Sequence, residues 1–169
     1  PWQDDSSGDL YTGIDQLQRI VDTLSTDPEN PTLLCTSWNP AQLEKMELKP
    51  YRILWNVVAS EGKLHLAWYQ RSAELVRGLP INIAMYATLL LLLAEGANLS
   101  PGTLHGTFAD CYLREAHLDD AEIQIKRIPR ELPLVVTGLR HTIFNWSRKD
   151  AALHNYNPHP RLNFRPILL

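Results

Sequence analysis

Apolar residues recur along the chain with two different periods, and these periods predict both helices and strands. Spacings of three and four residues predict an amphipathic helix over residues 13–25, which Asp27 and Pro28 end. Alternating or continuous apolar runs between turn residues are typical of strands. The predicted strands cover residues 32–38, 51–59, 63–71, 103–113 and 132–137, and a further short strand and turn cover residues 143–156.

Local turn chemistry refines this pattern. Glu61 and Gly62 separate two strand-like runs and predict an antiparallel hairpin between residues 51–59 and 63–71. The run at 32–38 is apolar enough for a buried strand, and residues 39–44 predict a turn into a short helix. Residues 119–127 begin with two aspartates and end with Lys126 and Arg127, the charge order that a helix dipole favours.

Residues 83–94 form the most apolar segment of the chain. The segment is too apolar for a surface helix, so we predict a buried core helix that is entered at Ile81 and Asn82. It has about a dozen apolar residues, whereas a membrane-spanning helix needs roughly 20. Neither a repeat nor a linker divides the sequence, so we predict one α+β domain over residues 1–169 and no membrane partner.

Composition narrows the classes of partner. The chain has 16 Lys and Arg against 19 Asp and Glu, without a clustered basic face, so we do not expect nucleic acid binding. Cys35 and Cys111 are the only cysteines, and the sequence shows no Cys/His spacing that is typical of a metal site. This pattern predicts no metal and a reduced, cytoplasmic setting. Both cysteines are interpreted as small core residues, with Cys35 inside the predicted buried strand.

Polar residues converge where the third predicted strand ends. Arg71, Ser72, Glu74 and Asn82 would place a cation, a hydroxyl, a carboxylate and an amide at a single sheet edge beside the apolar helix. Convergent polar groups next to an apolar core indicate a ligand site. The alternative is a salt-bridged strand end followed by a helix cap, with Asn82 as the capping residue.

The same stretch resembles a known family. Tyr-Gln-Arg-Ser-x-Glu-x-x-x-Gly-Leu-Pro-x-Asn, over residues 69–82, is similar to the central motif of thymidylate synthases and related pyrimidine hydroxymethylases. Further matches follow in the family's order at residues 14–17, 37–40, 46–50, 62–64 and 156–160. The resemblance implies a mixed sheet with helices packed on one face. It also implies a homodimer through the other face of strands 32–38, 51–59 and 63–71, which we expect to be rich in Leu, Val and Trp.

The resemblance also implies roles for individual residues. The substrate-binding candidates are Gln70, Arg71, Ser72, Asn82 and Arg114. The candidates for contact with 5,10-methylenetetrahydrofolate are Leu48, Glu74, Gly78 and Ile81. In the family the arginine grips the nucleotide phosphate, and the asparagine reads the edge of a uracil ring through its paired donor and acceptor.

Several positions depart from the family pattern. The nucleophilic cysteine and the histidine after it are replaced by Tyr51 and Arg52, and a phenol with an ordinary pKa of about 10 is a poor nucleophile at neutral pH. Two phosphate-binding arginines become Pro31 and Thr32. A His-x-Tyr pair becomes Tyr112-x-Arg114, the family's usual Asp becomes Glu74 and its usual Phe becomes Ile81. Tyr51 and Tyr112 remain as candidate catalytic residues.

Two classes of function are therefore open. In the first, the protein transfers a one-carbon unit from folate to a non-standard small-molecule acceptor, possibly nucleotide-like, whose carbon needs no thiol activation. In the second, it is a non-catalytic binding or partner subunit. The matches correspond to the later three-fifths of the family pattern, and whether a longer precursor or a companion chain supplies the N-terminal portion is the observation that would discriminate the two classes. The six histidines are interpreted as solvent-facing or as satisfied in the core.

Overall fold

The computed structural model describes residues 14–138 and 143–162, and a four-stranded mixed sheet lies at its centre. The strands, in their spatial order, are β1 (Leu34–Thr36), β2 (Arg52–Ser60), β3 (Lys63–Glu74) and β4 (Ser100–Tyr112). The first three strands pair antiparallel, and β4 pairs parallel to β3. A parallel pair needs a long crossover, which the apolar helix between these two strands supplies.

Helices and a small second sheet complete the described chain. The helices are α1 (Gln16–Thr26), α2 (Leu79–Gly96) and α3 (Leu118–Ile125), and the second sheet pairs β5 (Leu134–Thr137) with β6 (Ala151–His154). Short 3-10 helices cover Pro40–Lys45, Glu115–His117, Ile143–Asn145 and Arg148–Asp150. The α+β class and the short helix after Asn39 are confirmed, and the Asn39 side chain accepts a hydrogen bond from the Ala41 N–H as its cap.

The predicted hairpin is confirmed nearly residue for residue. Glu61 and Gly62 both have positive φ angles, 51° and 73°, as a tight turn between β2 and β3 requires. The register pairs Trp55 with Trp68. Because partners in a ladder point to the same face, both tryptophans lie on the same side of the sheet.

The core lies between that face and α2. Alternate residues of β3, among them Leu64, Leu66 and Trp68, are almost fully buried. The Trp68 ring stacks on Tyr86 of α2 at a centroid distance of 5.0 Å and meets Phe108 of β4 edge-on at 5.4 Å. These contacts fix α2 over the junction between β3 and β4.

Several predicted bounds and environments were wrong. The strand over residues 32–38 shrinks to Leu34–Thr36, and it is half-exposed because it lies at the edge of the sheet. The helix over residues 119–127 ends at Ile125, which leaves Arg127 beyond it, and the strand over residues 132–137 begins at Leu134. Within residues 143–156, two 3-10 turns precede β6.

The prediction of a buried helix holds for only part of α2. The helix begins earlier, at Leu79, and in its first turns Ile81, Ile83 and Met85 are exposed. Its second half, including Leu93 and Ala94, is buried against the sheet. By length and composition alone α2 could cross a membrane, although a third of it is buried inside the protein. The exposed apolar half is the part that flanks the polar groups described next.

Candidate functional site

The end of β3 distributes the predicted polar residues over two faces. Side chains alternate along a strand, so Gln70, Ser72 and Glu74 share one face and Arg71 lies on the other. The prediction that these groups converge at one point was therefore wrong for the arginine. The Gln70 side chain contacts α2, whereas that of Arg71 contacts the segment before β2.

A buried amide pair connects β3 to α2. Asn82 and Gln70 are only 3% and 1% exposed, and the Nδ2 of Asn82 donates to the Oε1 of Gln70 at 3.2 Å. The Nε2 of Gln70 donates to the backbone oxygen of Ser72 at 2.8 Å. The cap position of α2 is occupied by Gly78, so the alternative interpretation of Asn82 as the helix cap is wrong. Gln70 instead fixes the orientation of the Asn82 amide.

The Glu74 carboxylate organises the turn into α2. Its Oε2 accepts the backbone N–H groups of Arg77 at 2.6 Å and Gly78 at 3.1 Å. Burial raises the pKa of this carboxyl, but hydrogen bonds from the Arg77 and Gly78 amides, from His117 and from the Val76 amide lower it, and the net pKa lies below its ordinary value. A Cβ at Gly78 would lie 3.1 Å from the Glu74 backbone oxygen, so glycine permits this close turn.

His117 joins this cluster and was not singled out from the sequence. Its ring is fully buried, and its Nδ1 lies 3.4 Å from the Oε1 of Glu74. The interpretation of a histidine satisfied in the core fits His117, but its partner is a candidate cofactor residue. The parallel register pairs Glu74 with Tyr112, which brings the following 3-10 helix beside the carboxylate. Parallel pairing across a long crossover leaves no local signal in the sequence, so only the fold reveals the contact.

The Arg71 guanidinium is bonded to backbone oxygens of the segment before β2. Its Nε donates to the backbone oxygen of Pro50 at 2.9 Å and its Nη2 to the backbone oxygen of Lys49 at 3.1 Å. The backbone N–H of Arg71 donates to the backbone oxygen of Tyr51. The Ser72 hydroxyl lies 3.5 Å from Asp110, at the limit of a hydrogen bond. Arg71 therefore positions the segment that carries Tyr51.

An open cleft of about 600 Å³ lies between this segment, β1 and α2. Its lining residues are Gln16, Cys35, Thr36, Ser37, Pro50, Tyr51, Arg52, Ile53, Leu54, Trp55, Met85, Tyr86 and Leu89. The Arg52 guanidinium lies 5.1 Å from the centre of the Tyr51 ring, and its Nη1 lies 2.8 Å from the Met85 sulfur. Tyr51, which the sequence resemblance aligns with the family's nucleophile, is thus exposed to a ligand-sized space.

Cys35 lines this cleft and also packs against the core, so its assignment to the core holds only in part. The residue is only half-buried, because β1 is an edge strand. Burial and the nearby Asp15 raise the pKa of its thiol, and a hydrogen bond from Trp55 offsets only part of this effect. A smaller fraction of this thiol is therefore ionised at neutral pH than in an ordinary cysteine. Cys111 is exposed on β4, so its assignment to the core was wrong.

The second pair of candidates, Tyr112 and Arg114, follows the end of β4. The Arg114 guanidinium lies 5.7 Å from the centre of the Tyr112 ring. The backbone oxygen of Tyr112 accepts a hydrogen bond from the backbone N–H of Leu75, so this pair is attached to the Glu74 turn through the backbone. Leu48 and Ile81, the predicted apolar wall, are 72% and 69% exposed, as contact with a ligand requires.

Residues 156–160, which resemble a family motif near the end of the chain, are bonded to arginine side chains. Arg130 donates through its Nη1 to the side chain of Asn157 at 2.7 Å and to the backbone oxygen of Pro158 at 2.8 Å. Arg127 donates to the backbone oxygen of Pro160. Across residues 14–138 and 143–162, no cluster of acidic, histidine or cysteine side chains could hold a metal ion.

A comparison with known protein families agrees with this arrangement. The model of the family described as thymidylate synthase matches residues 2–168, nearly the whole chain. The match includes β3, the turn at Gly78 and α2, the elements on which the resemblance in the sequence was based. The chain therefore belongs to the thymidylate synthase family, a family of methyltransferases that typically use methylenetetrahydrofolate.

Proposed function

We propose that this protein transfers a one-carbon unit from methylenetetrahydrofolate to an acceptor carbon that is already nucleophilic, by hydroxymethylation or methylation. The observation that carries the proposal is the combination at the cleft of Tyr51, in place of a nucleophilic cysteine, with Cys35, whose thiol has a raised pKa. A thiolate is needed only to convert an electrophilic ring into a carbon nucleophile. An enol, an enamine or an easily ionised carbon acid would not need that step.

The residues around Glu74 could accommodate a folate. Leu48 and Ile81 offer exposed apolar surface, Gly78 permits the close turn that follows Glu74, and the Glu74 side chain retains an exposed fraction of 11%. When bound, the folate would supply the one-carbon unit. The acceptor carbon would form a bond to the one-carbon unit and lose a proton, while the bond from that unit to a folate nitrogen breaks and the nitrogen takes up a proton. Water would complete a hydroxymethyl group, whereas a methyl group would need a hydride, which the reduced folate would supply. The phenols of Tyr51 and Tyr112 are the candidates for moving the proton of the acceptor carbon.

A specific observation favours the second candidate, a non-catalytic binding or partner subunit. Two of the Arg71 donors bind backbone oxygens, and Glu74 accepts several hydrogen bonds from its own turn and from His117. Groups satisfied in this way serve the fold without a ligand. The two candidates differ in whether a reduced folate binds at all.

Calorimetric titration with a reduced folate tests the proposal. We expect heat of binding for the wild-type protein and weaker binding for Glu74→Ala, because that variant loses the carboxylate at the folate position. Glu122→Ala, which changes an exposed carboxylate of α3, is the matched control and should bind like the wild type. Absence of binding heat at millimolar folate, with or without candidate acceptors, would reject the enzyme and leave the partner subunit.

A second assay separates this chemistry from standard thymidylate synthesis. We expect no release of deuterium from the C5 position of labelled deoxyuridylate in the presence of methylenetetrahydrofolate, because a phenol is a poor substitute for the thiolate that adds to the ring. Measurable release would contradict the proposed acceptor class, since it would show activation of an electrophilic pyrimidine.

A further inference from the structure

We infer that the cleft beside Tyr51 binds an organic anion with a flat, apolar body, and that Arg52, not Arg71, holds its anionic group. This inference deepens the proposed function, because such an anion would be the acceptor in the reaction. The binding itself can be tested without folate. The argument rests on how the chain aims Arg52, on the partners that Arg52 lacks and on the remaining surface of the cleft.

A β-bulge directs Arg52 into the cleft. The register between β2 and β3 shifts between Arg52 and Leu54, with Arg52 opposite Gln70 and Leu54 opposite Tyr69. The extra residue, Ile53, reverses the alternation, so Arg52 lies on the helix side together with Gln70. The contact of its guanidinium with Met85 of α2 is the direct consequence.

Within residues 14–138 and 143–162, the Arg52 guanidinium has no anionic partner. Among the described residues its contacts are the Tyr51 ring and the Met85 thioether, and a thioether is only a weak acceptor. It forms no salt bridge with a carboxylate of the described chain. A guanidinium has five N–H donors in a planar fork that matches a carboxylate or phosphate. Most of that capacity is unused here.

The rest of the cleft favours an anion with an apolar body. Among the described residues that line the cleft, Arg52 is the only charged one, while Trp55, Tyr86 and Leu89 are among the large apolar side chains. Asp15 is an acid that acts on the lining residue Cys35, and its Oδ1 accepts the Gln18 N–H as the cap of α1. A volume of about 600 Å³ lies within the range of small-molecule sites. Phenol, hydroxyl and thiol groups along the wall can orient polar substituents.

A matched pair of fluorescent probes tests the charge requirement. One is 1-anilinonaphthalene-8-sulfonate, and the other is the neutral N-phenyl-1-naphthylamine, which has the same skeleton without the sulfonate. In wild-type protein without folate, we expect the sulfonate to bind more tightly. Arg52→Met should weaken sulfonate binding roughly tenfold or more, because a charge-assisted bond is lost, and should leave the neutral probe unchanged. Arg148→Met, in an exposed 3-10 helix, is the control and should change neither affinity.

The two cysteines locate the bound probe. Cys35 lines the cleft and Cys111 is exposed on β4, so alkylation by iodoacetamide, read by peptide mass spectrometry, reports on the two places within one sample. We expect the sulfonate probe to slow alkylation of Cys35 and not of Cys111, and this protection should be lost in Arg52→Met. Equal sulfonate affinity in wild type and Arg52→Met, or binding without protection of Cys35, would overturn the inference. Either result would leave the folate titration unaffected. Failure of the anion site can therefore be distinguished from failure of the proposed function.

Discussion

Glu74 shows how one side chain can serve both the fold and a site. Its carboxylate accepts the N–H groups that open α2 and lies beside the buried His117 ring. A helix N-terminus favours negative charge, which strengthens these bonds. The cost is reduced freedom to bind a ligand, because much of the acceptor capacity is already used.

Glu74→Gln should destabilise the protein by about 1.5–3 kcal/mol at neutral pH, the range for hydrogen bonds to charged groups. The substitution keeps the size of the side chain and removes its charge. Urea denaturation measures the change. Glu122→Gln, whose partner is the exposed Lys126 one turn away, should change the free energy of unfolding by only about 0.3–0.5 kcal/mol. Equal effects in the two variants would show that Glu74 is not a structural anchor.

The same variant should reveal a pH dependence of known sign. The pKa of Glu74 in the folded protein lies below its ordinary value of 4.5. Its contribution to the free energy of unfolding is therefore complete above pH 4.5 and is lost as the pH falls through the lowered folded value. The difference in stability between wild type and Glu74→Gln should narrow in that acidic range. A difference that grows as the pH falls from 4.5 would contradict the assignment.

The amide pair makes a second residue-scale prediction. Asn82→Leu should cost about 1–3 kcal/mol, because it leaves the buried Oε1 of Gln70 without its donor. The double variant Gln70→Leu with Asn82→Leu should recover part of this loss, since the unpaired Oε1 of Gln70 is removed, and the recovery is only partial because the Ser72 backbone oxygen loses its Gln70 donor. Urea denaturation of the two single variants and the double variant gives the free energies of unfolding for a double-mutant cycle. Fully additive losses would show that the two amides do not interact.

At the scale of elements, the aromatic contacts of Trp68 determine how closely β4 approaches β3. A Cβ at Gly106, the residue opposite Trp68 in the register, would lie 2.6 Å from ring atoms of Trp68 and Phe108. Those rings are held by Tyr86 and the sheet, so they cannot move away cheaply. The glycine is required by packing and not by an unusual backbone conformation.

Gly106→Ala should therefore destabilise the protein by about 1–3 kcal/mol, as overpacked cores do, and should change the near-ultraviolet circular dichroism of the aromatic cluster. Gly138→Ala is the matched control, because a Cβ there would meet only the Asp150 oxygen at an ordinary 3.8 Å. Thermal unfolding compares the two variants. A Gly106→Ala protein as stable as Gly138→Ala would show that the rings repack freely.

For the whole molecule, the outer face of the sheet differs from the expected one. The tryptophans of β2 and β3 lie on the helix side, so the expectation that they contribute to the outer face was wrong. That face instead presents Leu54, Val58 and Tyr69 among polar residues, and Val58 is 52% exposed. We propose that this apolar strip is the contact of a homodimer.

Light scattering at micromolar concentration should give the mass of a dimer. Val58→Glu should shift the equilibrium toward the monomer, because it places two carboxylates in an apolar contact if the dimer is symmetric. Glu61→Gln, in the exposed hairpin turn, is the control. A monomeric wild type would reject the proposed dimer.

The sequence by itself determined the elements whose causes are local. Period-two alternation and the Glu61–Gly62 turn specify the β2–β3 hairpin, and a continuous apolar run specifies α2. The family was also readable from the sequence, because short motifs such as residues 69–82 preserve order and spacing without the fold. Each of these features depends on neighbours within a few residues.

Only the tertiary structure decided which side chains meet. The contact of Glu74 with His117 depends on parallel pairing across α2, and the orientation of Arg52 depends on a bulge that adds one residue to β2. The exposure of Cys35 depends on β1 being at an edge of the sheet. A single-residue shift of register exchanges the two faces of a strand, and long-range pairing sets that register, so the chemistry of the cleft could not be predicted from local pattern.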